Sequence, residues 1–407
     1  MAAINDGVFY SGSIRGVTTV TQVFPDGQKA VAAIVEFAAP LSAAALDPDA
    51  FSIDGRSILS ARVTALPQIG AETGDGPFLV IDLDPGDESA AVYRAAAGSN
   101  PTQLVFRQTA PLARADGDSF APGGKVVVST RLNNLIVDDF RQFRFADPET
   151  GLILNYNLFT PANPDPAMRY PLVLFMHDAG VTGTDPLRTL EQGLGAVVFA
   201  SPDSQAAHPA FVLAPQYPVA LANDAAQTSA YPAITARLVQ QLQQDHPIDP
   251  DRIYATGQSG GCMTGIALNV AYPDLFGGTF CVAGQWDAAV VAPMAAVNFW
   301  ALVSQDDAKA FPGMTAVVET LRENGARVAT GTLDAKAPAG ETARTIAQIR
   351  ADAGDSNVIF TSFTKGSVLP ADGAGGPGAG HVNTWLYAYG IPAIRDWLFD
   401  QRRKAAP

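Results

Sequence analysis

The chain of 407 residues contains few of the residue types that hold metal ions or cross-link small domains. Its only cysteines are Cys262 and Cys281, and it has four histidines. Two cysteines are too few for a disulfide scaffold, and a closed zinc site needs about four clustered ligands. We therefore expect no metal site and two buried free thiols, with one internal disulfide as the alternative.

Long apolar runs and an excess of basic residues are missing as well. No run approaches the roughly 18 to 20 apolar residues that cross a bilayer, so we expect no membrane insertion. The formal net charge of -14 would repel phosphate backbones, which argues against a nucleic-acid partner. The amino-terminal segment MAAINDGVFYSG lacks the features of a signal peptide. We expect a secreted or periplasmic protein if a signal peptide was removed, and a cytoplasmic one otherwise.

The apolar content and the length indicate a globular protein of two domains. Hydrophobic residues make up 47% of the chain and charged residues 16%, which is enough apolar material for packed cores. From Val17 to about Thr130, short β-rich runs alternate with turn residues such as Asp26-Gly27 and Asp54-Gly55. This spacing predicts a small all-β immunoglobulin-like sandwich over residues 1–137.

From residue 138 onward, strand-like runs alternate with segments of helical periodicity. PLVLFMH and FVLAPQ are continuous apolar runs, as a strand buried on both faces requires. TSAYPAITARLVQQLQQDH and GCMTGIALNVAYP have the pattern of helices, and NFWALVS and NVIFTSF that of further strands. We predict an α/β domain over residues 138–407, with a mostly parallel sheet flanked by helices.

The segment IYAT-Gly257-Gln258-Ser259-Gly260-Gly261 has the order of strand, sharp turn and helix that defines a nucleophile elbow. The two outer glycines suit a strained turn in which the helix approaches the strand so closely that a Cβ would clash. The alternative is an ordinary turn in which the serine caps a helix. We predict that Ser259 is a nucleophile.

A serine nucleophile needs a base within hydrogen-bonding distance. His177 ends an early strand, His208 lies in the polar segment AAHPA, and His246 precedes the nucleophile strand. Only His381 follows the last predicted strand, on a glycine-rich loop, PADGAGGPGAG, that we expect to be flexible. The order Ser, acid, His of α/β hydrolases places the base there. We predict that His381 is the general base and His177 a structural residue.

The acid that orients this base should follow a strand between the two. NFWALVS leads to Asp306 and Asp307, and adjacent side chains point in different directions, so only one of them can face His381. We favour Asp307, with Asp306 and Asp287 as alternatives.

Two backbone N–H groups usually stabilise the oxyanion of acyl transfer. We expect the amide of Gly260, directly after the nucleophile, and that of Ala179 in the loop His177–Gly180, with the amide of Asp178 as the alternative. We also predict pocket-lining roles for three side chains that flank these positions: Gln258, Trp286 and Trp385.

With these residues in place, the chain resembles bacterial α/β-hydrolase esterases that carry an amino-terminal immunoglobulin-like domain, of the polyhydroxybutyrate-depolymerase-like or feruloyl-esterase-like kind. The resemblance rests on YPLVLFMHDAG, FVLAPQYP, DRIYATGQSGG, YPDLF, AGQWD and GHVNTW. It implies a triad of Ser259, Asp307 and His381. The chain departs from the pattern at Asp178, where a glycine commonly follows the histidine.

These residues predict a serine carboxylesterase that works through an acyl-enzyme on Ser259 and needs no cofactor. Its substrates would be small-molecule or polymeric carboxylic esters of small, aromatic or polyester type. One alternative is a serine peptidase of the prolyl-oligopeptidase type. Another is a non-catalytic protein that binds a polymer or a partner.

Overall fold

The computed structural model divides the chain into two compact units, Met1–Asp138 and Asp139–Pro407. It describes residues 13–94, 98–99, 102–162, 164–165, 167–371 and 376–403. The segment MAAINDGVFYSG and residues 372–375 of the glycine-rich loop lie outside these ranges. The division falls one residue after the boundary predicted from the sequence.

The described part of the first unit consists mainly of strands. They are β1 Ile14–Phe24, β2 Gly27–Leu41, β3 Phe51–Ile53, β4 Ile58–Thr64, β5 Gly76–Leu83, β6 Tyr93–Arg94, β7 Gly98–Ser99, β8 Val105–Gln108, β9 Leu112–Ala113, β10 Ser119–Phe120, β11 Val126–Val128 and β12 Arg131–Asn134. One sheet has the order β12-β1-β2-β5-β4 and another the order β11-β8-β3.

An apolar cluster contains side chains from both of these sheets. Val35 of β2 and Ile81 of β5 belong to it together with Phe51 of β3 and Phe106 of β8. The rings of Phe51 and Phe106 stack with centroids 6.1 Å apart. Burying one such side chain contributes about 1.5–3 kcal/mol, so this shared core joins the two sheets into a β-sandwich.

The second unit alternates strands and helices. Its elements are β13 Arg141–Ala146, β14 Ile153–Phe159, β15 Tyr170–Met176, α1 Arg188–Glu191, α2 Leu194–Val197, α3 Pro202–Ala207, β16 Phe211–Gln216, α4 Tyr231–Asp245, β17 Ile248–Gln258, α5 Gly260–Ala271, β18 Gly278–Val282, β19 Phe299–Ser304, α6 Ala310–Glu323, β20 Val328–Leu333, α7 Ala339–Ala353, β21 Val358–Phe363, α8 Ala379–Ala388 and α9 Pro392–Asp400. The strands form one sheet in the order β13-β14-β16-β15-β17-β18-β19-β21-β20.

This sheet is mostly parallel, as predicted. Only β14 pairs antiparallel, with β13 on one side and with β16 on the other, while the remaining neighbours are parallel. Parallel neighbours need crossover connections, which the helices supply. The helix α7, which the sequence analysis did not predict, makes the crossover from β20 to β21.

Both faces of the sheet are covered by apolar side chains, which explains the continuous apolar runs. On β15, Leu174 belongs to the cluster that contains Ile234 and Leu238 of α4. The next residue, Phe175, points to the opposite face. There its ring meets Tyr389 edge-on, with centroids 5.9 Å apart.

The two cysteines are buried and free, as expected. The thiol of Cys281 donates a hydrogen bond to the carbonyl oxygen of Cys262 at 3.2 Å. Among the described residues, no helix combines the length and the apolar character that a membrane span requires.

A buried ion pair connects the first hairpin of the second unit to α4. Asp147 follows β13, its side chain is fully buried, and its oxygens accept Nε and Nη2 of Arg237 at 2.6 and 2.8 Å. Thr150 donates to the same carboxylate through its N–H and its hydroxyl. The hydrogen bond with Arg237 is the main reason why the pKa of Asp147 falls from 3.8 to about 2.

We expect Arg237→Met to lower the free energy of unfolding by about 2–3 kcal/mol at pH 7, because it leaves a buried carboxylate without its cation. The folded-state pKa lies below the unfolded one, so the contribution is complete above about pH 4 and is lost as the pH falls toward 2. Urea unfolding at pH 7 and pH 3 measures both effects. Arg322→Met, which breaks the exposed pair with Glu319, is the control and should cost under about 0.5 kcal/mol. Equal losses in the two variants would contradict the prediction.

Candidate active site

The carboxyl ends of neighbouring parallel strands bring the predicted site residues to one edge of the sheet. β15 leads into the loop of Ala179, β17 into Ser259 and β19 into Asp307. His381 lies in the segment that follows β21. Ligands of open α/β sheets generally bind at this edge.

Ser259 occupies a strained turn between β17 and α5. Its φ of 51° and ψ of −118° lie outside the usual regions for a residue with a side chain, which costs about 1–3 kcal/mol. Its N–H donates to the carbonyl of Val282 at 3.0 Å, which helps to hold the turn. A Cβ on Gly257 would lie 2.6 Å from the carbonyl carbon of Gly261, and one on Gly261 would overlap the carbonyl of Met176. The two glycines are therefore required for the close approach, as predicted.

The imidazole of His381 connects the serine to a carboxylate. Its Nε2 lies 2.9 Å from Oγ of Ser259, and its Nδ1 lies 2.5 Å from Oδ2 of Asp307. With the carboxylate ionised, Nδ1 carries the ring proton and donates a hydrogen bond to Asp307. Nε2 is then free to accept the serine hydroxyl proton.

His381 does not lie on a flexible loop, which corrects the prediction made from the glycine-rich sequence. It belongs to the first turn of α8, which begins at Ala379. A Cβ on the preceding residue, Gly380, would lie 2.5 Å from the carbonyl oxygen of Asp306, so this turn packs directly on the loop that contains Asp307. The ring of Trp385, one turn further, meets the imidazole edge-on at 5.2 Å.

Asp307 is buried, with 4% of its surface exposed. Its Oδ1 accepts the N–H groups of Lys309 and Ala310 at 3.0 and 2.8 Å. Burial raises its pKa, but the hydrogen bonds from His381 and Ala310 outweigh burial, and the net shift is downward. The carboxylate is therefore ionised at neutral pH.

The two alternative acids have other partners. Asp306 accepts the N–H of Gly366 through Oδ2 at 2.6 Å. Asp287 accepts the N–H of Ala289 at 2.9 Å and caps a short 3₁₀ helix. Of these three aspartates, only Asp307 is hydrogen-bonded to the imidazole.

The amides of Gly260 and Ala179 lie close to each other beside the serine. A Cβ built on Gly260 would be 3.8 Å from the nitrogen of Ala179. Gly260 is the first residue of α5, where an N–H has no acceptor within the helix. Within the described part of the chain, neither N–H donates a hydrogen bond. Both donors are therefore free to receive an oxygen atom.

His177 has structural hydrogen bonds. Its Nδ1 lies 2.7 Å from the carbonyl oxygen of Asp178, and its Nε2 accepts the N–H of Tyr217 at 3.0 Å. Burial lowers the pKa of His177, so the ring is neutral, with the proton on Nδ1. His208 and His246 lie elsewhere, against Phe399 and Phe211.

Gln258 lies beside the loop of Ala179. Its side chain is buried and donates to Asp178 and to Gln192, a residue that the sequence analysis did not single out. No local pattern around Gln192 indicates this contact. Trp286 is 9% exposed and packs in an apolar cluster with Met263. For Gln258, Trp286 and Trp385 the pocket role stays a prediction.

Comparisons with known proteins agree with this architecture. A family profile for an esterase Ig-like N-terminal domain matches residues 16–126. The crystal structure of a thermostable esterase is similar with a TM-score of 0.81 and 26% sequence identity, over 96% of this chain and 100% of that one. The predicted fold, an α/β hydrolase preceded by an immunoglobulin-like domain, is confirmed. A search of curated protein sequences returned no match.

More distant structures share less of the chain. A feruloyl esterase module from Clostridium thermocellum, complexed with sinapinate, has a TM-score of 0.41 and 12% identity over 62% of this chain and 87% of that one. An acetyl xylan esterase from Aspergillus awamori has a TM-score of 0.33 and 15% identity over 44% of this chain and 80% of that one.

Proposed function

Because the chain is a carboxylic-ester hydrolase with an esterase Ig-like N-terminal domain, we propose that it cleaves esters by a serine mechanism. Ser259 is the nucleophile, His381 the general base and Asp307 the acid that orients the base. The observation that carries this proposal is the continuous hydrogen-bonded connection from Oγ of Ser259 through the imidazole to Oδ2 of Asp307, with distances of 2.9 and 2.5 Å. This is the arrangement that makes a serine hydroxyl nucleophilic at neutral pH.

In the first half of the reaction, Oγ of Ser259 attacks the ester carbonyl carbon while Nε2 of His381 takes the hydroxyl proton. The carbonyl oxygen becomes negatively charged and accepts the N–H groups of Gly260 and Ala179. Removing one such donor typically costs about 3 kcal/mol of barrier stabilisation. When the tetrahedral intermediate collapses, the bond to the alcohol oxygen breaks and the imidazolium protonates that oxygen.

In the second half, water attacks the acyl-enzyme carbonyl and His381 again takes the proton. Collapse then releases the carboxylic acid and returns the proton to Ser259. The ionised Asp307 stabilises the imidazolium in both halves and holds the ring in the required tautomer. We propose that the substrates are carboxylic esters of small, aromatic or polyester type.

We expect an alkyl fluorophosphonate to phosphonylate Ser259 selectively, because only an activated serine displaces its fluoride. The intact mass should rise by one adduct per chain, and peptide mapping should place that adduct on Ser259. Ser259→Ala should take up none. If the phosphonate failed to label the wild type and the wild type still hydrolysed p-nitrophenyl esters, the serine mechanism would be contradicted.

Substrate panels separate the remaining hypotheses. p-Nitrophenyl esters of increasing chain length and a feruloyl ester test the acyl group, and a peptidyl anilide tests the peptidase alternative. We expect ester turnover to exceed anilide turnover. Faster anilide cleavage would favour the peptidase, and the absence of both labelling and hydrolysis would favour a binding protein.

A further inference from the structure

Two buried amide side chains and one carboxylate connect the nucleophile strand to the loop of Ala179. Gln258 is the last residue of β17 and is 2% exposed. Its Nε2 donates to Oδ2 of Asp178 at 3.0 Å and to Oε1 of Gln192 at 3.2 Å. Buried polar groups cost free energy unless they are hydrogen-bonded, so these three side chains hold one another in place. We call Asp178, Gln192 and Gln258 the oxyanion brace.

The brace acts on the short 3₁₀ turn that begins at Ala179. The second oxygen of Asp178, Oδ1, accepts the N–H of Gly180 at 2.7 Å and caps this turn. Both carboxylate oxygens therefore have a donor, one from the turn and one from Gln258. A displacement of the turn would break at least one of these bonds.

The peptide between Asp178 and Ala179 is also fixed in its orientation. Its carbonyl accepts Nδ1–H of His177 at 2.7 Å. Among the described residues no peptide bond is cis, and in a trans peptide the N–H points away from the carbonyl. The N–H of Ala179 is thus directed away from His177. Its nitrogen lies 3.8 Å from the position that a Cβ of Gly260 would occupy.

We infer that Gln258 and Asp178 are positioning residues that set the place of the Ala179 N–H relative to Ser259. Gln258 directly precedes Ser259, and Asp178 directly precedes Ala179. The hydrogen bond between Gln258 and Asp178 therefore fixes the distance between the serine and the Ala179 N–H. Neither side chain touches the reacting atoms. The inference rests on the proposed serine mechanism and assigns to the brace the geometry of one of its two oxyanion donors.

We expect Gln258→Leu to lower kcat for p-nitrophenyl butyrate by about 10- to 100-fold, because a misplaced donor stabilises the oxyanion less well. KM should change by less than about twofold, since the donor acts on the transition state rather than on the bound ester. The affinity for a trifluoromethyl ketone, whose hemiketal oxyanion occupies the same donors, should fall by the same factor as kcat/KM. Phosphonate labelling should still reach one adduct per chain.

A second test exchanges the donor and the acceptor of the hydrogen bond between positions 258 and 178. Gln258→Glu alone sets two carboxylates against each other and should lose at least as much kcat as Gln258→Leu. Adding Asp178→Asn to Gln258→Glu restores a donor facing an acceptor, while the amide oxygen still accepts the N–H of Gly180. We expect the double variant to regain at least half of the lost activity on a logarithmic scale. A merely structural loss would not be rescued by this swap.

Gln108 is the matched control because it is also a buried glutamine with two hydrogen bonds, at 2.9 and 2.7 Å, but lies in the first unit. Gln108→Leu should lower the melting temperature and leave kcat unchanged. The inference is wrong if Gln258→Leu keeps kcat within twofold while the wild type is labelled, or if the double variant folds and is not rescued. If the wild type neither reacts with the phosphonate nor cleaves esters, the serine mechanism is wrong, and so is the role inferred for the oxyanion brace.

Discussion

Ser259→Ala is expected to lower kcat for p-nitrophenyl butyrate by about 10⁵- to 10⁶-fold, while the fold stays intact. The alanine keeps the strained turn and the two free amides but has no oxygen that can form the acyl-enzyme. The members of a triad act as a unit, so the loss should approach that of removing all three. Steady-state kinetics on purified protein, with thermal unfolding measured alongside, provides the test.

The control for this variant is Ser119→Ala, which removes the hydroxyl of an exposed serine in the first unit. It should retain wild-type kcat. A rate for Ser259→Ala within tenfold of the wild type would mean that another group attacks the ester, and the proposed mechanism would have to be abandoned.

Asp307→Asn is expected to lower kcat by about 10⁴-fold near pH 7. The asparagine amide can donate to Nδ1 of His381, which would place the imidazole proton on Nε2. In that tautomer the ring cannot accept the proton of Ser259. The loss should become smaller at high pH, where hydroxide replaces the missing base. A pH–rate profile of wild type and variant measures both features.

The neighbouring carboxylate offers a closely matched control. Asp306→Asn keeps an oxygen that accepts the N–H of Gly366 and leaves the contact between Asp307 and the imidazole untouched. We expect its kcat to stay within about tenfold of the wild type. The assignment of the acid is wrong if Asp306→Asn loses more activity than Asp307→Asn.

The position of the site was predictable because its residues follow strands with strong local patterns. IYATG before Ser259 and NFWALVS before Asp307 identify strand ends from the sequence alone, and parallel strands place such ends on one edge. The glycine-rich run before His381 was misleading. It suggested a flexible loop up to the histidine, but α8 begins at Ala379, where packing against Asp306 permits no side chain on Gly380.

Neither the helix α7 nor the oxyanion brace was predicted, but only the helix could have been. The segment Ala339–Ala353 does carry a helical signal, because its buried residues Ile346, Ile349 and Ala353 recur at intervals of three and four. The partners of Gln258 had no comparable signal. Asp178 and Gln192 are 80 and 66 residues away in the chain, and only the tertiary fold brings them into contact.

The same long separations have a consequence for folding. Ser259 and His381 are 122 positions apart, and Asp307 and His381 are 74 apart, so each contact of the proposed triad closes a large loop of chain. Closing such loops costs conformational entropy that only the packed sheet and its crossovers offset. We therefore expect the proposed triad to assemble late in folding. Ester cleavage should then recover only when the whole sheet is complete, and later than the helical signal in circular dichroism.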